Sequence, residues 1–120
     1  MRDAFRLQDY LIHMRDALAD AVSFIGTMSR DEFLHDRRTQ QAVVMSLIII
    51  GEAASKIINA WPEIKDTHPG IPWGAMRGMR NRIAHGYFAV DYGMVWDTTR
   101  QDLPTLEQKL NSLLAEIQKI

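Results

Sequence analysis

"RTQQAVVMSLIIIGEAASKIINAW", Arg38 to Trp61, has the period of a helix and more apolar surface than one helix face can hold. Val43, Leu47, Ile50, Ala54, Ile57 or Ile58, and Trp61 recur at steps of three and four residues. Val44, Met45, Ile48 and Ile49 widen that stripe well past a single face. Such a helix sits centrally in a bundle, or gives its second face to a subunit contact. The preceding "DRRTQ", Asp36 to Gln40, reads as a helix start carrying surface charge.

The same period extends outward in both directions. Upstream, Leu7, Leu11, Met14, Leu18, Val22 and Ile25 form one stripe within about Arg6 to Met28. Asp3, Arg6, Gln8 and Arg15 stay off it, which makes the segment amphipathic. "SRDE", Ser29 to Glu32, has the spacing of a capping box and should start a short helix carrying Phe33 and Leu34. Downstream, "WPEIKDTHPGIPW" holds three prolines and is loop material with room for one helical turn after Pro62. Pro72-Trp73 suits a first turn, and Gly86 lies just past the end of a helix running to His85. Asp91 then reads as the N-cap of a last helix whose Met94, Val95, Leu103, Leu106, Leu110, Leu113, Leu114 and Ile117 face inward, kinked or restarted at Pro104. Nothing alternates as a strand does. The fold expected is all-α, a bundle of four to five helices.

Composition narrows the function classes. The 120 residues are 47% hydrophobic and 24% charged, which fits one globular domain over 1–120 rather than disorder. A net charge of -1 argues against nucleic-acid binding by bulk charge, so an anionic ligand must meet a local cluster. The absence of cysteine excludes disulfides, thiolate metal sites and a cysteine nucleophile. "MRDAFRLQDY" lacks the apolar centre of a signal peptide, and "AVVMSLIII" is too short to span a bilayer. A cytoplasmic protein that uses no membrane is expected.

The local cluster is "MRNRIAHGYF", Met79 to Phe88, with Arg77 just upstream. Histidine exchanges protons near neutral pH, and arginine forks onto phosphate oxygens. Arg80 and His85 together can therefore break a phosphodiester without a metal, His85 moving the proton and Arg80 holding charge on phosphorus. Asn81 can orient the histidine or a phosphate, and Tyr87 can stack a base, donate a hydrogen bond or be modified. Positions 80 and 85 point roughly 140° apart on an ideal helix, so in one straight helix they do not converge on one phosphate. Either the helix ends before His85, or two copies face each other across a dimer cleft, the arrangement preferred. Simpler readings stand beside these. His85 reads equally as a cap at a helix C-terminus, the arginines as a solvated face, and Tyr87-Phe88 as an apolar anchor. His13, His35 and His68 share no ligand spacing, so no metal site is expected. Glu52 is either an exposed partner of Lys56 four residues on, the safer reading, or a partner for a motif arginine.

Arg80-Asn81-Arg82-Ile83-Ala84-His85-Gly86-Tyr87 resembles the R-x4-H-x-Y signature of HepT-like proteins of the HEPN superfamily. The resemblance extends to "DRRTQQAV", "IIGEAASKI", "PGIPW", "HGYFAVDYGMVW" and "DLPTL", in the family's order. It implies an all-α homodimer with two motifs in one cleft, and a metal-independent endoribonuclease acting as the toxin of a prokaryotic toxin–antitoxin pair. The implied antitoxin is a minimal nucleotidyltransferase that adenylylates the motif tyrosine. Carried over, Arg80 and His85 become catalytic, Asn81 supporting and Tyr87 the modification site. The RNA-backbone role of Arg77 and Arg82 rests on charge alone. No cofactor is implied, and 2',3'-cyclic phosphate products are expected. The rival reading is a non-catalytic helical module that binds a nucleotide or a nucleotidyltransferase.

Overall fold

The computed structural model describes residues 4–118, so Asp3 and the extreme termini of the expected 1–120 domain lie outside the described residues. Helix α1 spans Ala4–Ile25, α2 Arg30–Leu34, α3 Arg37–Ala60, α4 Ile64–Thr67, α5 Trp73–His85, α6 Tyr92–Asp97 and α7 Leu103–Gln118. Four long helices, α1, α3, α5 and α7, make the bundle, and three short ones connect them. Among the described residues there is no strand.

Local chemistry explains most of the boundaries. Gly26 takes φ +54°, a left-handed conformation that glycine adopts without strain, and so ends α1 three residues before the expected Met28. Ser29 and Glu32 close the capping box at α2, the Ser29 side chain accepting from the Glu32 amide at 3.1 Å and Glu32 accepting from the Ser29 amide at 2.9 Å. Asp36 caps α3 and Asp91 caps α6 by simple side-chain caps, accepting from the Thr39 and Met94 amides at 3.1 Å each. The last helix is two helices. Pro104 has no N–H and its ring crowds the carbonyl four residues back. The chain answers with a π-helical turn over Thr98–Asp102, the Leu103 amide reaching the Thr98 carbonyl, before α7 begins.

Helix α3 is the central element, packed against α1 on one side and α5 on the other, while α7 packs on α1. Val43, Ala54 and Ile57 of α3 are fully buried, with Leu11, Met14 and Leu18 of α1 and Leu110 of α7. By length and composition α3 could cross a bilayer, yet 56% of its most apolar window is buried inside the bundle. Its extra apolar face is only partly used: Met45 remains 55% exposed and Ile49 38%. Two residues expected to face inward do not. Val22 is exposed on α1, and Met94 is exposed because α6 has its own register, which buries Val95 as expected but not its neighbour.

The caps give a pH prediction. The Ser29 amide, then its hydroxyl, holds Glu32 below the usual carboxylate range, and the Thr39 amide does the same for Asp36. A folded-state pKa lowered in this way stabilises the fold at pH above the unfolded value, and that stabilisation fades as pH falls through the folded one. Replacing both by their amides should flatten the acid limb of the stability–pH profile, as read by denaturant unfolding between pH 3 and 6.

Candidate active site

Helix α5 places the motif. Trp73, Met76 and Ile83 point into the bundle, and the Trp73 indole donates to the His68 carbonyl at 3.1 Å, anchoring the first turn. Arg80 lies at the edge of this buried face. Its side chain is 24% exposed and reaches across to α3, where Nη1 donates to the Glu52 carboxylate and Nη2 to Ser55 Oγ at 3.1 Å. The Nε of Arg80 is buried with no hydrogen-bond partner among the described residues. Glu52 therefore pairs with the motif arginine, and not with Lys56 as the safer reading had it. It remains half exposed.

This reach depends on Gly51. A Cβ there would press on the Cβ of Arg80 and lie 2.8 Å from the Met76 carbonyl oxygen. The bare backbone of α3 lets α5 come close at the level of Arg80. Neither Gly51 nor Ser55 stood out from the sequence as a site residue; the run of small residues in "GEAAS" was the available signal.

The other motif residues separate. His85 ends α5 and is exposed, as is Asn81 one turn before it; neither makes a side-chain hydrogen bond or ion pair with the described residues. Arg77 is half-buried and lies one turn before Asn81, so Arg77, Asn81 and His85 form an outward stripe on α5. Arg80 is offset from His85 by roughly 140° around that helix. Since α5 stays helical through His85, the first escape from the spacing problem, an earlier helix end, does not occur. Arg82 goes elsewhere: it lines an apolar groove of about 580 Å³ between α5 and α7, floored by Leu47 and Ile50. That wall places it away from the outward stripe. After Gly86, a 3-10 turn over Tyr87–Ala89 holds Tyr87 at 74% exposure and Phe88 at 83%, their rings edge to face at 5.7 Å. They do not anchor the helix exit.

An all-α HEPN-like bundle with Arg80, Asn81, His85 and Tyr87 on and just beyond one helix defines the class. The family described as Ribonuclease HepT-like matches residues 14–113, and the chain belongs to it. "Probable ribonuclease HepT" of Thermococcus cleftensis is 39% identical over 106 residues, 88% of this chain and 94% of that protein. "Putative RNase MJ1216" of Methanocaldococcus jannaschii is 30% identical over 93% of this chain and 90% of its own length. "Putative RNase TTE0752" of Caldanaerobacter subterraneus is 32% identical, covering 88% and 91%. No solved structure matches.

Proposed function

We propose that the protein is a metal-independent endoribonuclease, the toxin of a prokaryotic toxin–antitoxin pair, working as a homodimer with its site in the cleft between two α5 helices. The observation that carries this is the division of the motif: Arg80 is fixed against α3 while His85 stands exposed at the helix end, unpaired among the described residues. On one helix these two diverge, and a second copy is what brings an arginine to a histidine. The exposed Met45 and Ile49 support the contact, because they share a helical face with Glu52, beside Arg80.

In the reaction, His85 takes the proton from a ribose 2'-hydroxyl, or gives one to the departing 5'-oxygen. The 2'-oxygen attacks phosphorus, the P–O5' bond breaks, and Arg80 holds the charge that builds on the non-bridging oxygens. A 2',3'-cyclic phosphate and a 5'-hydroxyl result, with no water consumed. Asn81, on the His85 stripe, orients the histidine or the phosphate, and Arg77 meets the RNA backbone there. Arg82 would meet it only from the groove side. Neutralisation follows from Tyr87, whose exposed position is open to adenylylation by a nucleotidyltransferase antitoxin. An anionic adenylate beside the cleft would occupy the place of the substrate phosphate and offset the arginine charge.

The test is cleavage of total cellular RNA in EDTA by protein whose intact mass shows Tyr87 unmodified. Cleavage with cyclic-phosphate ends, lost in His85→Ala, is the expected result. Cleavage that EDTA abolishes and magnesium restores refutes metal independence. A stable unmodified protein that leaves RNA intact points instead to the non-catalytic module.

A further inference from the structure

We infer that Glu52 and Ser55 are positioning residues for Arg80, holding its guanidinium for the scissile phosphate; the inference rests on the ribonuclease reading above. Glu52 and Ser55 are three residues apart on α3 and share the face that meets α5. Each takes one terminal nitrogen of the same guanidinium. An arginine has five N–H donors. One on Nη1 goes to Glu52 and one on Nη2 to Ser55, while the Nε–H is shut inside the bundle without an acceptor. Among the described residues the second N–H on each terminal nitrogen is left, and these suit an anionic oxygen.

A purely structural role accounts poorly for this arrangement. The Glu52 side chain is 48% exposed, and an ion pair that water reaches on one side adds little to the stability of a fold. Its carboxylate also offsets charge that would otherwise attract RNA. What the tether does supply is a single pose for a long, rotamer-rich side chain, fixed before substrate arrives. Ser55 is buried, and its hydroxyl adds a second point that sets the plane of the guanidinium. Gly51, one residue before Glu52, brings the two helices close enough for the reach.

The experiment measures kcat and KM on a short RNA for Glu52→Ala, Glu52→Gln and Ser55→Ala, each with a thermal melt, and for Glu52→Ala combined with Arg80→Ala. Glu52→Ala should lower kcat by about ten- to a hundredfold, the size of effect that a small misplacement of a catalytic group produces, with KM unchanged or lower. Glu52→Gln, which keeps an acceptor oxygen, should recover most of the loss, and Ser55→Ala should fall between. In the Arg80→Ala background the Glu52→Ala change should have no further effect. Wild-type kcat in a folded Glu52→Ala protein overturns the inference alone. An equal loss from Glu52→Ala with Arg80 absent also overturns it, since Glu52 would then act on its own. No cleavage by the unmutated protein overturns the ribonuclease reading, and this inference with it.

Discussion

A one-to-one mixture of Arg80→Ala and His85→Ala proteins should cleave RNA at about a quarter of the unmutated rate, although each variant alone is nearly inactive. In the proposed mechanism, loss of Arg80 removes a preorganised donor at the charge-bearing oxygens, for which a drop of about 10²–10³ is typical. Loss of His85 removes the proton carrier of that mechanism, worth roughly 10²–10⁴. Helix α5 is unbroken from Trp73 to His85, so the two side chains of one copy leave it roughly 140° apart. In the proposed dimer the working pair is Arg80 of one copy with His85 of the other. Random exchange makes about half of the dimers mixed, and each mixed dimer keeps one of its two cross-subunit pairs. The measurement uses two affinity tags to isolate the mixed dimer after exchange, then compares its cleavage rate with each parent. A verified mixed dimer as inactive as its parents would show that the residues act within one chain, and the dimer-cleft site would fall.

The sequence held local information and lacked the relations between helices. Ser29 with Glu32, Asp91 as a cap, and the limits Pro72 and Gly86 around α5 were legible because a cap is decided by residues within one turn of it. The break at Pro104 was legible in kind, but not its form as a π turn that separates α6 from α7. That separation is why Met94, placed inward on one continuous periodic stripe, lies exposed. Glu52 had two partners open to it, one four residues away and one 28 residues away. Local spacing favours the nearer, and only the register of α3 against α5 selects the farther. The same register places Gly51 under Arg80. Arg82 is the converse case: adjacency in the motif suggested one basic cluster, yet two residues along a helix turn a side chain roughly 200° away, onto the groove wall.

That register is also where a single methyl group should do most harm. Gly51→Ala would ordinarily help a helix, by about 1 kcal/mol of intrinsic propensity. Here its Cβ meets the Cβ of Arg80 and the carbonyl oxygen of Met76 at 2.8 Å. Both belong to the body of α5 and not to the far end of a flexible side chain, so the helices themselves must part. Overpacking of this kind costs about 1–3 kcal/mol, and the rigid neighbours place it at the upper end, so the clash outweighs the propensity gain. Gly51→Val adds two further methyl groups at the same contact and should cost more, with each kcal/mol lowering the melting temperature by roughly 4 °C for a domain of this size. Activity should fall further than stability explains. Parting α3 from α5 draws Arg80 away from Glu52 and Ser55, so a Gly51→Ala protein assayed well below its melting temperature should still lose kcat. A melting temperature at or above that of the unmutated protein would mean that α5 accommodates the methyl group, and that the close approach at Gly51 is not what holds Arg80 in place.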